Sequence, residues 1–541
     1  MLIDLHDLPA GTTIAADVCI VGAGPAGLTL GRELRGSGLH IVILEAGGQP
    51  RGAKRLGDDR VPLSEGSAFS PPPHVPSSFG GAANEWVVRL PWMRSGVRVV
   101  PLSPIDLAAR SWVPHSGWPI EWDELRRYYL RANAHLGLAG WGYEPEEWLD
   151  EQRPMVPFRY GFTTAMERFA HAAFFTRDIY DEVKRSADLT VYLNAPVGHI
   201  SRCDDSVDVV EIDSDHVRRI TVTSRVVVLA CGGLKNAQIL FNANEGRGVG
   251  NGHDVLGRYY MDHLRVASGV ITPSSPTLFR RLGLYDMVDS EGGFRSAKVV
   301  PTAAALAEHR LLHSAARFLP NVDQRIRSML RREGANGEIS GLATSERIKL
   351  AATIARTATE MTVQQRRFPP RVDAGWSMLS TGDEMWSSLA VEHQIEQAPD
   401  TRNRVVPSDR VDRFGRRQVQ LEWGWTDADL RSLETTLTLF GRAVEDVGLG
   451  TFERHPWDDG PVVTTPDGAF HPTGATRMSP TPRFGVVDAD SRVHGTNNLF
   501  VLGSSVFPTG GYANPVLTVI ALAARLGDLL RRELITPPTV G

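Results

Sequence analysis

The chain has few cysteines and no long hydrophobic run. Only three cysteines occur in 541 residues, and Cys19, Cys203 and Cys231 form neither a disulfide framework nor a metal-ligand spacing. We therefore expect no metal site and a reducing, cytoplasmic environment. No stretch approaches the roughly 18 apolar residues of a membrane span, and residues 1–7 lack a basic start followed by an apolar run. The sequence thus disfavours both secretion and membrane insertion.

The chain also lacks a strong excess of charge of either sign. Its formal net charge is −5, so no electrostatic field attracts nucleic acid or an anionic membrane. Hydrophobic residues at 42% and charged residues at 22% are typical of globular proteins. Because the length is several times the commonest domain size, we expect two domains, either interleaved or sequential.

What the chain does contain is a glycine-rich turn between two strand-like runs near its start. Asp17–Val21 predicts a buried parallel strand, Leu28–Leu34 shows helical spacing after the glycines, and Ile41–Leu44 predicts a second strand. A strand, a glycine turn, a helix, a strand and an acidic residue follow one another in this order. The order is typical of a dinucleotide-binding fold.

Each glycine of this turn has its own predicted task. Gly22 permits the tight turn, Gly24 lets the backbone approach a pyrophosphate, and Gly27 allows close packing of the helix. The start of the helix favours negative charge, and Glu45 is expected to accept a hydrogen bond from a ribose hydroxyl. The alternative is a glycine turn that binds nothing, which the surrounding order of elements disfavours.

Further strand and helix patterns occur later in the chain. Strand-like segments are Leu189–Leu193, Val197, Arg219–Val222, Val226–Ala230 and Leu499–Leu502, and a helix with a buried stripe is expected over Pro515–Leu530. The nucleotide-binding domain is therefore predicted to be discontinuous. Residues from about 263 to 464 differ in character, with a strand at Gln418–Trp423 and helical patterns near 303–318 and 343–365. They predict a separate domain that covers the substrate.

Together these segments resemble the glucose-methanol-choline (GMC) oxidoreductases, flavoenzymes that bind FAD and oxidise alcohols. The resemblance spans nearly the whole chain and includes the segments Phe79–Trp86, Trp118–Ile120, Gly257–His263, Gly485–Asp488, Asn498–Gly503 and Asn514–Thr518. It implies an α/β fold, α+β overall, in which a Rossmann-like FAD-binding domain is interleaved with a substrate domain built on an antiparallel sheet with helices. The expected boundaries are 12–90, 190–262 and 465–541 for the FAD-binding domain, and 91–189 and 263–464 for the substrate domain.

The resemblance also implies the site residues. His471 falls on the general base of the family and Asn514 on its partner position, similar to the pyranose oxidase and glycoside oxidase types of the bacterial branch. Residues expected to contact FAD are Gly22, Gly24, Ala26, Gly27, Glu45, Ala46, Gly80, Gly81, Asn84, Val197, Ala230, Gly232, Gly503, Ser504, Asn514, Pro515 and Thr518. Relatives with covalent flavin carry a histidine in the loop region that Gly80–Trp86 occupies here without one, so we expect non-covalent FAD.

The two residue types suit the chemistry. Oxidising an alcohol removes a proton from oxygen and a hydride from carbon, so the site needs a base and a hydride acceptor that no ordinary side chain provides. Histidine is partly neutral near pH 7 because its unperturbed pKa is about 6.5, and the Asn514 amide could hold the substrate hydroxyl beside His471. The alternatives are a histidine bonded to backbone in a turn and an asparagine that caps the last helix.

The expected function is FAD-dependent oxidation of an alcohol, with hydroxyls of sugars, glycosides or glycosylated natural products as the leading class. Electrons then pass to O2 or another acceptor. Trp376, Trp386, Trp423 and Trp425 could stack on a sugar ring, although such tryptophans more often belong to the core. Alternatives are a GMC-like lyase of the hydroxynitrile type, an FAD-dependent hydroxylase and a binding protein with a silent site. His263 is interpreted as packing at a domain border and is left out of the predicted catalytic set.

Overall fold

A computed structural model describes most of the chain. The described residues are 1–50, 77–86, 88, 96–149, 153–203, 206–214, 218–244, 246, 248–289, 293–330, 342–364, 374–412, 414–456 and 471–535. The strands within them are β1 (Leu2–Asp4), β2 (Thr13–Val21), β3 (Ile41–Leu44), β4 (Gly96–Val99), β5 (Phe162–His171), β6 (Leu189–Leu193), β7 (Val197–Cys203), β8 (Ser206–Ser214), β9 (Arg218–Leu229), β10 (Leu264–Pro273), β11 (Arg295–Pro301), β12 (Ser314–Val322), β13 (Trp386–Ile395), β14 (Arg404–Val411), β15 (Arg417–Glu422), β16 (Gly450–Arg454) and β17 (Leu499–Val501).

The α-helices are distributed among these strands along the chain. They are α1 (Pro25–Leu34), α2 (Pro104–Leu107), α3 (Trp122–His135), α4 (Ile179–Lys184), α5 (Gly232–Asn242), α6 (Leu278–Arg281), α7 (Ala303–Glu308), α8 (Gln324–Leu330), α9 (Thr344–Gln364), α10 (Gly382–Met385), α11 (Asp427–Asp446) and α12 (Val516–Ile535). No described helix combines the length and the apolar character that crossing a bilayer requires.

Eight strands form the first sheet, in the order β1-β6-β3-β2-β9-β8-β7, with β17 beside the end of β9. Strands β1, β6, β3, β2, β9 and β17 run parallel, whereas β8 and β7 add an antiparallel edge. Val21 pairs with both Leu44 and Leu229. The carboxyl ends of the central strands therefore meet at one edge, which is where ligands bind in such sheets.

Seven strands form the second sheet, in the order β16-β10-β13-β12-β11-β5-β4, and all its pairs are antiparallel. One face packs on an apolar cluster to which α11 contributes Phe440 and Val444. Trp376 and Trp386 belong to the same cluster and are buried, and Trp423 is buried in a larger apolar cluster that includes the strands of the parallel sheet. These three tryptophans are therefore core residues, which is the commoner of the two roles considered for them.

Several sequence predictions agree with the structure. Ile41–Leu44 and Leu189–Leu193 are strands at the predicted bounds, and the helix predicted near 343–365 is α9. The last helix begins within one residue of its predicted start and runs on to Ile535. Residues before position 12 also join the parallel sheet, since β1 pairs with β6.

Two predictions were wrong. The helix expected near 303–318 ends at Glu308, and Ser314–Val322 is a strand. The charged, partly exposed Arg317 within it interrupts the apolar run by which the strand could have been predicted. The two strands expected at Arg219–Val222 and Val226–Ala230 are one strand, β9. The residues between them continue the pairing with β2, so no turn interrupts the ladder.

Candidate active site

The glycine turn after β2 shows which glycines the protein itself requires. Gly22 has a φ of +107°, and a Cβ there would lie 2.7 Å from the Ala230 carbonyl oxygen. A Cβ on Gly27 would lie 2.1 Å from the Gly22 oxygen, so packing of α1 on β2 demands glycine. A Cβ on Gly24 would meet only the Gly81 Cα, at 3.9 Å. The space beside Gly24 is therefore open to a ligand.

The start of α1 faces this open space. Gly24 is the N-cap residue and provides no side-chain cap, and Pro25 and Ala26 form the first turn. The partial positive charge of a helix start attracts a phosphate group. A pyrophosphate beside Gly24 would thus meet backbone N–H groups without displacing a side chain.

Glu45 lies at the end of β3 and is 5% exposed. Its carboxylate accepts hydrogen bonds from the Ala23 N–H at 2.9 Å and the Gly47 N–H at 2.8 Å. Burial raises its pKa, while these two bonds oppose the rise. Each carboxylate oxygen accepts more than one hydrogen bond, so a ribose hydroxyl can still bind here. Ala46 follows directly, and it is partly exposed.

The loop Phe79–Trp86 lies against the glycine turn. The Gly80 N–H donates to the Ala23 carbonyl at 2.8 Å, and Gly80 and Gly81 both have positive φ. The Asn84 amide donates to the Phe79 and Gly81 carbonyls at 3.0 and 2.9 Å. Asn84 therefore shapes the loop through its own side chain.

Four other residues predicted to contact FAD lie at the same edge. The Ala230 N–H donates to the Val21 carbonyl at 2.7 Å, and a Cβ built on Gly503 would lie 3.9 Å from the Gly232 Cα. The Ser504 hydroxyl donates to the Pro472 carbonyl at 2.7 Å. This last bond connects Ser504, at the edge of the parallel sheet, to the residue that follows His471.

Val197 and Thr518 are buried and make protein contacts of their own. The Val197 carbonyl accepts a hydrogen bond from the Arg416 guanidinium. The Thr518 hydroxyl shares a hydrogen bond of 2.9 Å with the Tyr129 hydroxyl. Their predicted contacts with FAD stay predictions. The open space at Gly24, the uncapped helix start and the acceptor at Glu45 together fit a dinucleotide such as FAD.

His471 and Asn514 lie side by side, as the sequence predicted. The Asn514 Nδ2 is 3.1 Å from the His471 Nε2. The Asn514 Oδ1 accepts a hydrogen bond from Gln394 at 3.2 Å, and Gln394 also donates to the Tyr512 carbonyl at 2.6 Å. Because Gln394 fixes the oxygen of the amide, its nitrogen faces His471 as a donor.

His263 contacts the other side of the His471 ring. The two Nδ1 atoms are 3.1 Å apart, and the His263 Nε2 is 2.8 Å from the Gly511 carbonyl oxygen. Burial lowers the pKa of His263 to about 4, so this ring is neutral near pH 7. A carbonyl only accepts hydrogen bonds, and the single proton of His263 is therefore on Nε2. The His471 Nδ1 must then carry a hydrogen and donate it to His263.

Asp262 holds the backbone of both histidines. Its Oδ1 accepts the N–H of His263 at 2.7 Å and the N–H of His471 at 2.8 Å, and the Tyr260 hydroxyl donates to its Oδ2 at 3.2 Å. Burial raises the pKa of Asp262 to about 7. One carboxyl group thus fixes the relative position of two rings that are distant in sequence.

The His471 ring is neutral and has its lone pair on Nε2. Burial lowers the pKa of His471 well below its ordinary value, and the neighbouring His263, Arg265, Arg98 and Lys298 lower it further. With the hydrogen on Nδ1, the unprotonated nitrogen is the one beside Asn514. The site thus places an unprotonated imidazole nitrogen and an amide next to each other, an arrangement that can accept a proton from a hydroxyl.

Sequence reasoning missed three parts of this site. His263 was read as border packing, while Asp262 and Gln394 were not considered. For His263 and Asp262, the sequence did offer a signal, since the two are adjacent and directly precede a strand. Nothing in the sequence places Gln394 beside Asn514. Within the described residues, no group of three or more histidine, cysteine, aspartate or glutamate side chains is arranged to hold a metal ion.

Two family models match the chain. Residues 399–523 match the family described as GMC oxidoreductase, and residues 15–55 match the FAD binding domain. The first range includes His471 and Asn514, and the second includes the glycine turn and Glu45. The two halves of the candidate site are therefore each recognised independently.

Comparisons with known proteins agree with these matches. The chain is 22% identical to 2-methyl-1,2-propanediol dehydrogenase of Mycolicibacterium austroafricanum, covering 96% of this chain and 95% of that protein. It is 22% identical to the fructose dehydrogenase large subunit of Gluconobacter japonicus, covering 96% and 99%. A C-glycoside 3-oxidase of Microbacterium trichothecenolyticum is 35% identical over 23% of each chain.

A solved structure shares the fold. A fungal aryl-alcohol oxidase matches with a TM-score of 0.52 and 14% identity, covering 96% of this chain and 99% of that one. The predicted α/β class, with a Rossmann-like FAD-binding sheet and an antiparallel second sheet, is confirmed. The chain is similar to the GMC oxidoreductases over residues 399–523 and to FAD binding domains over residues 15–55, and it is similar over nearly its whole length to dehydrogenases that act on an alcohol and a sugar.

Proposed function

We propose that this enzyme oxidises a hydroxyl of a sugar, a glycoside or a glycosylated natural product to a carbonyl. The observation that carries the proposal is the 3.1 Å contact between Asn514 Nδ2 and the unprotonated Nε2 of His471. The names of the fructose dehydrogenase and the C-glycoside 3-oxidase support the substrate class. FAD, when bound, supplies the acceptor for the hydride.

His471 takes the proton of the substrate hydroxyl at Nε2. The Asn514 amide lies next to this nitrogen, so it can hold the hydroxyl oxygen in line with the base. His263 acts as a positioning residue because it holds the hydrogen of His471 on Nδ1, and Asp262 keeps the two histidines at a fixed separation. The proton then passes to solvent when the product leaves.

The cofactor and the location follow from simpler observations. No histidine occurs in Gly80–Trp86, so FAD binds without a covalent bond. The low cysteine count supports a cytoplasmic location, and the described Cys19 and Cys231 are free thiols. The electrons leave to O2 or to another acceptor.

The test is anaerobic reduction of the purified holoenzyme. A panel of sugars, glycosides and aminoglycosides is mixed with the enzyme, and the visible absorbance of oxidised flavin is followed. Bleaching by one class identifies hydride transfer. A lyase would convert its substrate without bleaching, and a hydroxylase would be bleached by NADPH in the absence of an alcohol.

Replacing the base tests the mechanism. His471→Ala should slow bleaching by about 100-fold to 10,000-fold, the usual contribution of a general base. His309→Ala is the matched control, because His309 is exposed beyond the end of α7. Full turnover by His471→Ala would refute the assignment of the base.

A further inference from the structure

A buried carboxylate and a buried histidine lie beside the loop that carries Asn514. Asp106 belongs to α2, and His313 directly precedes β12. The His313 Nδ1 is 2.7 Å from the Asp106 Oδ1, although 207 residues separate the two in sequence. Their side chains are 4% and 1% exposed. The two residues therefore form a polar pair in the interior of the protein.

The Asp106 carboxyl group is ionised near pH 7. Burial opposes its charge, but the interactions with His313, Arg110 and a backbone N–H outweigh burial and hold its pKa below the ordinary value. The Ser103 N–H and hydroxyl donate to Oδ2 at 2.8 and 2.7 Å. A carboxylate only accepts hydrogen bonds, so His313 donates to Oδ1 from its Nδ1. These donors fix the carboxylate in one orientation.

Asp106 holds the backbone of the loop 509–514 at two points. The Thr509 hydroxyl donates to the Asp106 carbonyl at 2.7 Å. Gly511 has a φ of +53°, and a Cβ on it would lie 2.6 Å from the Asp106 Cγ, so the carboxylate packs directly on the glycine. The Gly511 carbonyl is the acceptor for the hydrogen on the His263 Nε2. The position of this acceptor therefore depends on Asp106.

The His313 ring packs against the next residue of this loop. Its centroid is 4.7 Å from that of the Tyr512 ring, and the two rings are nearly perpendicular. The Tyr512 carbonyl accepts the Gln394 amide at 2.6 Å, and this amide also donates to the Asn514 Oδ1 at 3.2 Å. The buried pair therefore also supports the residues that orient the Asn514 amide.

We propose that Asp106 and His313 are positioning residues for the base. They hold residues 509–514 in the arrangement in which His471 keeps its hydrogen on Nδ1 and its lone pair beside the amide. The proposal rests on the proposed function, which assigns the base. Neither residue touches the reacting atoms, and the pair transfers no proton. Loss of this support would let the ring change tautomer or orientation, and such misplacement costs up to about 100-fold in rate.

A double-mutant cycle on the holoenzyme tests the connection to the base. Asp106→Asn keeps the shape of the side chain and replaces an acceptor with a donor. With the panel alcohol that bleaches the wild-type flavin fastest, it should lower kcat about tenfold with little change in KM. In the His263→Ala background it should lower kcat about threefold or less, because the residue through which it acts is absent. Equal falls in both backgrounds would overturn the proposal.

Two variants of His313 test the hydrogen bond within the pair. His313→Phe keeps a ring against Tyr512 but has no donor for the Asp106 carboxylate, so it should lower kcat as Asp106→Asn does. His313→Asn keeps a donor near the position of Nδ1 and should restore part of the rate. Equal kcat in the two variants would show that this hydrogen bond does not position the base.

Asp286→Asn is the matched control. Asp286 is 1% exposed, and it accepts two N–H groups and a hydroxyl from Gly375 and Ser377 at 2.8 to 2.9 Å. These donors flank Trp376, which belongs to the apolar cluster on the antiparallel sheet. The variant therefore shows the general effect of removing a buried carboxylate. It should leave kcat unchanged at a temperature at which the holoenzyme is folded.

Nuclear magnetic resonance tests the positioning without a substrate. In holoenzyme with ¹⁵N-labelled histidine, the two ring nitrogens of His471 should give separate signals, which are identified by their absence from His471→Ala. Asp106→Asn should bring the two signals closer together, because the hydrogen then exchanges between the nitrogens, whereas Asp286→Asn should leave them in place. Unchanged signals in Asp106→Asn would refute the positioning role whatever the activity. Failure of every alcohol to bleach the flavin would refute the proposed function alone.

Discussion

His263 accepts the Nδ1 hydrogen of His471 across 3.1 Å, although 208 residues separate the two in sequence. The Gly511 carbonyl accepts the hydrogen of His263 in turn. This chain of bonds determines which nitrogen of His471 has the lone pair. The lone pair is on Nε2, beside Asn514, and the proposed base therefore has its orientation before any substrate binds.

Removing His263 should impair the chemistry more than substrate binding. Without an acceptor for its Nδ1 hydrogen, the His471 ring can rotate or change tautomer, and such misplacement costs up to about 100-fold in rate. We expect His263→Ala to lower kcat by this order with little change in KM. His263→Asn keeps an acceptor near the position of Nδ1 and should restore part of the rate.

The result has a clear control. His309→Ala removes an exposed histidine from the same polypeptide and should leave kcat unchanged. If His263→Ala and His263→Asn lose equal activity, or if KM alone changes, then His263 has only a packing role.

The rate of turnover should not fall near the pH at which an ordinary histidine base becomes protonated. The pKa of His471 is lowered well below 6.5, first by burial and then by the nearby positive charges. A base with a lowered pKa stays neutral as the pH falls, so kcat/KM for a neutral substrate should hold below pH 6.5 and drop only at lower pH.

Lys298→Met should shift this limb. It removes one of the positive charges that lower the pKa of His471, so the acid limb should move to higher pH. Arg442→Met is the control, because Arg442 is exposed on α11, and it should not move the limb. Because burial raises the pKa of Asp262 to about 7, a limb near this value alone does not identify His471, but an acid limb that Lys298→Met leaves in place would show that His471 is not the titrating base.

Two glycines of the same turn should respond differently to alanine. Gly24 has a φ of −84° and room for a Cβ, so Gly24→Ala should leave the apoprotein as stable as the wild type. The added methyl group occupies the space beside the helix start, and we expect FAD to bind about tenfold more weakly. Titration of apoprotein with FAD measures this affinity.

Gly27→Ala should fail at the level of folding. Its Cβ would lie 2.1 Å from the Gly22 oxygen, and overpacking of this kind costs about 1 to 3 kcal/mol or more. Gly252→Ala is the control, because nothing lies within 4 Å of its Cβ position.

For the other glycine, equal FAD affinity of the Gly24→Ala variant and the wild type would contradict the placement of the pyrophosphate.

A buried ion pair should matter for stability more than an exposed one. Arg110 binds Glu396 with both oxygens engaged, at 2.5 and 2.8 Å, and both side chains are at most 1% exposed. Arg110→Met leaves a buried carboxylate without its partner, which costs about 3 to 5 kcal/mol. Arg402→Met breaks an exposed pair with Asp400 and should cost at most about 1 kcal/mol. Denaturant unfolding of both variants measures the difference.

The sequence predicts the parallel sheet better than the antiparallel one, for a physical reason. Strands such as Ile41–Leu44 are buried on both faces and read as continuous apolar runs. On β12 and β13, charged residues such as the partly exposed Arg317 and the buried Glu392 lie among the apolar residues and obscure the pattern of a buried strand. These strands therefore resemble surface helices or loops in sequence.

The site was predictable only where local motifs mark it. His471 and Asn514 lie within a recognisable ending of the chain, and Glu45 follows its strand at the expected distance. His263 and Gln394 acquire their roles from contacts with residues more than 100 positions away. Such contacts depend on how the two sheets pack together, which no local pattern specifies.

His471 makes hydrogen bonds to residues that belong to the two different sheets of the molecule. Asp262 and His263 directly precede β10 in the antiparallel sheet, while Asn514 lies two residues before α12, which packs against α1 in the half of the molecule that contains the parallel sheet. A small displacement of one half of the molecule against the other would separate the ring from one set of partners. Thermal inactivation should therefore result from separation of the two halves. Activity should be lost at a lower temperature than the secondary structure of either half.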